Sequence, residues 1–286
     1  YAKDELLGRS IDALIPPRFH ERHDRHIDGF AAGTAVARRM GERGQAIFGR
    51  RKNGEEFAAD ATISKLEVGG QRTLTVSLRD ISESKRNEIE HRLLAELGEV
   101  LSTSLDCELV LSNLASVLAR ELADFCIIDL VDLGAEVSQI KAVCRDVEKA
   151  WICDYLASRR GANRGTYFAA ETLATSRPAL YHVTTPERMR AFAQDDEHLR
   201  ALLGLEARSI LVVPLVARGT ILGAIVLVAS HPSRAYDARD LELAEDIAHR
   251  AALSIDNARL YQPAQDAIRS RDDVLGSVSH DLRNPL

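Results

Sequence analysis

The sequence lacks any dense run of lysine and arginine. Its 37 basic and 43 acidic residues are spread along 286 positions and leave a formal net charge of −6. Nucleic acids and anionic membranes are bound through clustered positive charge, so we expect neither of them as a partner. The expected partners are proteins and small molecules.

Paired metal-binding cysteines are also missing. The four cysteines include no Cys-x-x-Cys pair and have no histidine cluster near them in the sequence. Zinc sites and disulfide frameworks depend on such spacings, so the sequence predicts neither. We expect reduced, buried thiols in a cytoplasmic protein. The cysteines are Cys107, Cys126, Cys144 and Cys153.

An uninterrupted apolar run of membrane-spanning length is absent as well. The longest apolar tract, residues 210–229, is broken by Pro214 and by Arg218-Gly219-Thr220, which favours a β-hairpin over a membrane span. The N-terminus has no signal-peptide pattern and the chain begins with Tyr1, so we expect it to be part of a longer polypeptide. Any membrane tether would lie in the N-terminal part outside this sequence.

Residues 4–33 have the pattern of short helices and loops, punctuated by Pro16-Pro17 and ended by Gly33. Strands are predicted next. Asn53-Gly54 indicates a tight hairpin turn, and the residues that follow it alternate between apolar and polar at period two. A second turn at Gly69-Gly70 and another alternating stretch complete an antiparallel sheet with one buried face.

The final strand of this sheet ends in Asp80-Ile81-Ser82, where Asp80 or Ser82 can cap the helix that follows. Short helices, a Lys-Asn-Gly hairpin, a second hairpin and this Asp-Ile-Ser ending resemble the C-terminal half of a PAS sensor domain. The resemblance covers residues 1–82. It implies a partial PAS antiparallel sheet whose first strands and helix lie outside this sequence.

Residues 83–105 carry an apolar residue at every fourth position, which predicts a helix with one buried stripe. A helix between two sensor domains favours the same helix of a second subunit as its packing partner, in a coiled coil. A helix docked within one subunit remains the alternative. The stripe consists of Ile89, Leu93, Leu97, Leu101 and Leu105.

Residues 106–261 have the pattern of a helix, a strand, a loop-rich insert, an apolar hairpin and a long amphipathic helix. The hairpin VVPLVARGTILGAIVLVAS and the closing helix DLELAEDIAHRAALSIDNARLY are similar to those of a GAF domain. The resemblance implies an α/β/α sheet domain. The fold class expected for the whole chain is therefore α+β, with helical linkers.

Residues 262–286 carry His280 in a helical stretch. Ile268, Leu275 and Leu282 are seven residues apart, a heptad pattern that places His280 opposite the apolar seam and exposes its imidazole. Asp281 is adjacent and can orient one ring nitrogen, which leaves the other free for attack. Asn284 lies one helical turn further on. Pro285 is expected to bend the helix just past His280.

The run Ser279-His280-Asp281-Leu282-Arg283-Asn284-Pro285-Leu286 closely resembles the phosphoacceptor segment of two-component sensor histidine kinases. The resemblance implies that His280 accepts the γ-phosphoryl group of ATP and passes it to an aspartate of a response regulator receiver domain. Asp281 would act as acid and base, and Asn284 would position water for the phosphatase reaction. ATP and Mg²⁺ would be bound by an ATP-binding domain outside this sequence, and the segment would begin a dimeric helical hairpin.

The Arg-His-Asp stretch around His23 resembles the corresponding stretch of oxygen-sensing PAS kinases. In those kinases, the histidine at this position ligates haem. Haem is therefore a possible cofactor. Two more histidines, His20 and His26, share the predicted helix, which also fits an ordinary polar surface. The arginine that assists oxygen binding in those kinases is replaced here by Gln45.

The GAF-like region lacks two familiar ligand signatures. No cysteine is followed by histidine, so a bilin chromophore is not supported, and the Asn-Lys-x-x-Phe-Asp-Glu signature of cyclic-nucleotide GAF domains is missing. Aromatic residues at 151, 155, 167 and 181 fit a pocket or, more commonly, a core. The small-molecule ligand stays unidentified.

The sequence thus predicts a cytoplasmic, homodimeric sensor histidine kinase in four parts: PAS-like residues 1–82, a signalling helix at 83–105, a GAF domain at 106–261 and the first phosphoacceptor helix at 262–286. Ligand binding would shift the helices between two packings, with a bend at Pro263. Two alternatives are a PAS/GAF binding module that has no catalytic role and a haem-based oxygen or redox sensor that uses His23.

Overall fold

The computed structural model describes residues 1–41, 47–68, 71–102, 104–131, 137–158, 168–182, 185–231 and 234–283. For residues 68, 71–72, 137–140 and 262–283 it describes the backbone alone. The chain forms two compact units, Tyr1–Arg92 and Leu93–Leu286.

The N-terminal unit begins with short helical segments: α1 (Lys3–Leu6), 3-10 turns at Ile11–Leu14 and Pro17–Phe19, and α2 (His20–Ala32). The Ser10 hydroxyl starts the first turn by accepting a hydrogen bond of 3.2 Å from the Asp12 amide. Helix α2 ends immediately before Gly33, as predicted.

The sheet of this unit is antiparallel throughout. Strands β1 (Ala37–Arg39) and β2 (Ile47–Arg50) pair with successive stretches of β3 (Glu56–Val68), and β4 (Gln71–Asp80) pairs with the other edge of β3. The β2–β3 hairpin turns at Asn53-Gly54, where Gly54 has a φ of 89° and needs the freedom of glycine. The predicted hairpin is therefore confirmed.

Helix α3 (Ser82–Ser102) ends before Leu105, so it carries four of the five residues of the predicted stripe, and these are divided. Leu93 and Leu97 are fully buried in the core of the second unit, and Leu101 packs against that core. Ile89 and Leu105 are exposed. The middle of the stripe thus packs within its own chain, as in the docked-helix alternative, and pairing with a second subunit stays a prediction.

The second unit is built on a five-stranded antiparallel sheet. Its order is β6-β5-β9-β8-β7. The central hairpin, β8–β9, turns at Arg218-Gly219 with φ values of 51° and 77°, the left-handed geometry of tight hairpins. The strands are β5 (Phe125–Val131), β6 (Val137–Cys144), β7 (Ala179–His182), β8 (Ser209–Ala217) and β9 (Thr220–Ala229).

Helices cover both faces of this sheet and create two cores. Helices α3, α4 and α9 enclose the first core, and helices α5 to α8 border the second core. Along β5, Cys126 and Ile128 point into the first core, while Phe125 and Ile127 point into the second. The helices are α4 (Cys107–Glu121), α5 (Ala150–Ser158), α6 (Ala170–Thr175), α7 (Pro186–Phe192), α8 (Asp196–Gly204) and α9 (Ala238–Arg283).

This unit has a close contact between β5 and β9 at Gly223 and a long, continuous C-terminal helix. Gly223 lies opposite Leu130, and a Cβ atom at Gly223 would stand 1.9 Å from the carbonyl oxygen of Asp129. Helix α9 is continuous for 46 residues and passes through Pro263, where the sequence predicts a bend. None of the helices in the described stretches combines the length and hydropathy needed to cross a bilayer.

Candidate functional site

A cavity of about 410 Å³ lies within the N-terminal unit, between its helical segments and its sheet. Ala61 and Ile63 of β3 are buried in its wall, opposite Leu78 and Val76 of β4. The alternation of these strands places their apolar residues on one face, which explains the apolar wall. The volume is typical of small-molecule sites. The helical side contributes Ile11, Leu14, Ile15, Phe19, Ile27 and Phe30.

His23 of α2 lines this cavity, and its environment favours the neutral imidazole. Burial lowers its pKa below the ordinary value near 6.5, against an opposing effect of Asp12. The Nδ1 atom of His23 is buried and has no hydrogen-bond partner in the described residues. A neutral histidine nitrogen without a partner is available to a ligand or a metal ion.

Asp12 lies next to His23, a pairing that no sequence pattern predicts. Asp12, His23 and Asp24 each offer one ligand atom, and these atoms lie within 4.8 Å of one another. One carboxylate oxygen of Asp12 is buried without a hydrogen-bond partner in the described residues. The only sequence signal was the Ser10-x-Asp12 turn, which fixes Asp12 locally but does not indicate what it faces.

The three histidines of α2 differ in role. The Nε2 atom of His20 lies 2.9 Å from the carbonyl oxygen of Ile15, so this imidazole holds the preceding loop in place. His23 and His26 line the cavity. The arrangement thus separates a structural histidine from two that reach the cavity, a distinction that the sequence pattern does not make. Gln45 lies outside the described residues.

The end of the sheet is tied to the start of α3 at Asp80. Asp80 accepts a hydrogen bond of 2.9 Å from the Ser82 amide and pairs with Arg51, while the Ser82 hydroxyl accepts one of 3.2 Å from the Ala58 amide. The hydrogen bonds from Ser82, followed by the pairing with Arg51, lower the pKa of Asp80. Capping by this Asp-Ile-Ser segment is therefore present, as predicted.

The segment that carries His280 continues α9. His280 and Asp281 fall in the last turns of this helix, where the backbone alone is described, and Asn284 lies outside the described residues. Earlier in α9, the side chains of Ala244, Ile247 and Ile255 are buried in the first core. One helix therefore joins the sheet domain to the histidine segment.

The aromatic residues proposed for a pocket in the second unit behave differently from one another. Tyr155 and Tyr181 pack against the second core, whereas Trp151 is 51% exposed, and Tyr167 lies outside the described residues. The Tyr155 hydroxyl lies 3.4 Å from a carboxylate oxygen of Asp195. Core packing, the commoner role of aromatics, accounts for Tyr155 and Tyr181.

Comparison with known proteins identifies part of the chain. Over 119 residues, 41% of this chain, it is 28% identical to sensor protein FixL of Bradyrhizobium diazoefficiens, and the match spans about a fifth (22%) of that protein. A GAF domain of a phosphoenolpyruvate-protein phosphotransferase from Coxiella burnetii is 16% identical, with 61% of this chain and 98% of that chain covered and a TM-score of 0.48.

The second GAF domain of DevS from Mycobacterium smegmatis is similar at 18% identity, with 56% of this chain and 99% of that chain covered and a TM-score of 0.39. The family model of the GAF domain matches residues 152–257. This match agrees with the mixed α/β fold and antiparallel sheet of the second unit. Residues 152–257 therefore belong to a GAF domain.

Proposed function

We propose that the chain is the sensory and phosphoacceptor part of a two-component sensor histidine kinase. Ligands bound by the N-terminal cavity or the GAF domain control the phosphorylation of His280 by ATP. His280 then passes the phosphoryl group to an aspartate of a response regulator. In the longer polypeptide, an ATP-binding domain supplies ATP and Mg²⁺, and the protein works as a cytoplasmic homodimer.

The observation that carries this proposal is the continuity of α9. Its first half is anchored by residues buried in the first core, which is called the GAF core from here on. Among the side chains that the structure describes, Ala258 is the last buried one, and the helix runs unbroken to Arg283. At a rise of 1.5 Å per residue, Ala258 and His280 lie about 33 Å apart along one axis. A helix anchored in a sensor core transmits rotation or translation to its far end.

The histidine segment supplies the chemistry. Asp281 follows His280 directly and can hold one ring nitrogen protonated, so that the other carries the lone pair that attacks the γ-phosphorus. Asn284, one turn further on, can orient water for the reverse reaction. The similarity to the sensor protein FixL supports the assignment to a sensor kinase, although it covers 41% of the chain.

A phosphorylation assay on the natural full-length protein tests the proposal. The protein is incubated with ATP labelled at the γ-phosphate, and the label is tested for the acid lability and base stability of a phosphoramidate. His280→Gln should abolish labelling. The matched control is His249→Gln, because His249 is an exposed histidine of the same helix. The control should keep full labelling.

The opposite outcome would favour a PAS/GAF binding module without catalytic function. Labelling that persists in His280→Gln, or a signalling output unaffected by this substitution, would remove His280 from the mechanism. The structure of the GAF domain would then still account for ligand-dependent regulation of a partner. The two functions are thereby distinguished with a single pair of variants.

A second candidate function, haem-based sensing, is favoured by the position of His23. The cavity has an apolar wall and is lined by the His23 imidazole, whose buried Nδ1 atom has no hydrogen-bond partner in the described residues. Arg22 and Arg38 also line it. These residues fit haem, with His23 as the iron ligand and the two arginines as partners for its carboxylates. Bound haem would supply an iron atom that binds a diatomic gas.

Haem titration tests this second candidate. If haem binds through His23, the full chain develops a Soret band that His23→Ala removes and His20→Ala retains, because His20 does not line the cavity. A band of equal intensity in His23→Ala would show that haem, if bound, uses another ligand. The absence of any Soret band in the parent chain would reject haem for this cavity.

A further inference from the structure

Two of the four cysteines meet at the edge of the second unit. Cys144 is the last residue of β6, pairs with Phe125 of β5, and packs against the second core. Cys153 lies in α5, in the same core, nine positions further along the chain. Both side chains pack in the second core, where the two thiols interact with each other. Cys126, by contrast, points into the first core.

The two thiols have different surroundings. Cys144 is half-buried, and its thiol donates a hydrogen bond of 3.0 Å to the carbonyl oxygen of Asp146. Cys153 is only 6% exposed. Burial, followed by the contact with Cys144, raises the pKa of the Cys153 thiol, so this group stays protonated and shielded. Cys144 is therefore the thiol that a small reagent reaches first.

We propose that Cys144 and Cys153 form a redox-active dithiol, which a hydroperoxide converts into a disulfide within the chain. The Cys144 thiolate attacks one peroxide oxygen, the O–O bond breaks, and the departing oxygen takes up a proton. With hydrogen peroxide, this step leaves a sulfenic acid on Cys144 and releases one water molecule. Cys144 has lost two electrons to the peroxide.

Cys153 completes the reaction. Its sulfur loses its proton and bonds to the Cys144 sulfur, while the hydroxyl of the sulfenic acid leaves with that proton as a second water molecule. The sum is two thiols and one hydrogen peroxide giving one disulfide and two water molecules. Contact between the two thiols favours this resolution over further oxidation of Cys144, because the second sulfur is already adjacent.

The disulfide would join α5 to the edge strand β6 of the GAF domain. Ile152 and Leu156 of α5 are buried in the second core on either side of Cys153. Oxidation would thus fix α5 against the sheet at a position that helps to build this core. The effect is independent of phosphorylation at His280, so this inference stands or falls separately from the proposed function.

The test uses the full chain, reduced and freed of reductant, and then treated with stoichiometric hydrogen peroxide. After alkylation of free thiols, proteolysis without reductant should yield one linked peptide pair that contains Cys144 and Cys153. The number of free thiols measured under denaturing conditions should fall from four to two. A reductant should restore all four.

The remaining cysteines provide matched controls. Cys107→Ser and Cys126→Ser should each still lose two thiols at the parental rate. Cys144→Ser and Cys153→Ser should form no disulfide within the chain, and thiol loss in Cys144→Ser should slow at least tenfold. Four free thiols in the treated parent, or a linked pair that involves Cys107 or Cys126, would overturn the proposal. The peptide map of the parent decides the matter even if a variant fails to fold.

Discussion

The two units of the chain bury their apolar residues in different ways. In the N-terminal unit, the buried apolar side chains among the described residues are those of Pro16, Phe30, Ala59, Ala61 and Ile63, and a cavity adjoins this set. In the second unit, helices close both faces of the sheet over two dense cores. The first unit keeps room for a ligand, and the second provides a firm support for α9.

The largest expected effect is the loss of stability when a side chain of the dense core is truncated, compared with a side chain of the cavity wall. Leu114 is fully buried in the first core, so Leu114→Ala should lower the free energy of unfolding of the second unit by roughly 3 to 5 kcal/mol. Ile63→Ala should cost the N-terminal unit less, about 1 to 2 kcal/mol, because Ile63 already faces the cavity and loses fewer contacts.

Fluorescence of Trp151, the single tryptophan, follows denaturation of the second unit, and hydrogen exchange of β3 follows the first. Equal costs for the two substitutions would mean that the N-terminal cavity wall is packed as densely as the core of the second unit. The contrast between the units would then be lost.

A pair of glycines tests the close strand contact of the second unit. Gly223→Ala should destabilise it by about 3 kcal/mol, because the new Cβ atom cannot fit 1.9 Å from the Asp129 carbonyl oxygen without movement of β5. Gly98→Ala in α3 meets no atom within 4 Å and should stabilise the protein by about 0.5 to 1 kcal/mol. Thermal unfolding would measure both, and a neutral Gly223→Ala would contradict the tight β5–β9 pairing.

A buried hydrogen bond gives a smaller effect. The hydroxyl of Tyr236, a side chain 2% exposed, donates to the Leu122 carbonyl oxygen at 3.0 Å, and burial raises the pKa of this phenol. Tyr236→Phe should cost about 1 kcal/mol in chemical denaturation. Tyr261→Phe, at an exposed tyrosine of α9, should change stability by less than about 0.5 kcal/mol.

The smallest effect is a pH dependence in the N-terminal unit. The folded state holds the pKa of His23 below its unfolded value near 6.5, so the unfolded state binds more protons as the pH falls below that value. Stability of this unit should therefore decline modestly below pH 6.5. Hydrogen exchange of β3 at pH 7.5 and pH 5.5 would measure the decline, which His23→Gln should reduce and His20→Gln should leave in place.

Local patterns predicted the elements of both units well. The Asn53-Gly54 turn, the alternation along β3 and the apolar hairpin of β8 and β9 each depend on residues close in sequence, so period and turn chemistry were sufficient. The packing partner of the apolar stripe of α3 was harder to predict. Periodicity shows that Leu93 and Leu97 are buried, but it cannot show whether their partner lies in the same chain.

The sites were less predictable, because they depend on residues that the fold brings together. His23 was singled out by resemblance, whereas its neighbour Asp12 and the cavity arise from the packing of a loop and α2 against the sheet. Cys144 and Cys153 lack any metal-binding or redox spacing, and they meet because α5 folds back onto the end of β6. No short-range pattern encodes such a contact.

The central claim is that α9 connects the GAF core to His280 as one rigid element, and a change of helical phase tests it most directly. Insertion of two alanines after Leu260 in the natural full-length protein rotates the following segment by roughly 200°, and insertion of seven returns it to within about 20° of its original phase. Phosphorylation of His280 by labelled ATP is then measured for the parent and both variants.

If α9 transmits the state of the GAF core, the two-residue insertion should change the basal phosphorylation of His280 at least fivefold, and the seven-residue insertion should restore most of the parental level. Equal phosphorylation in the parent and both variants would contradict this transmission, because the phase of α9 would then have no influence on His280.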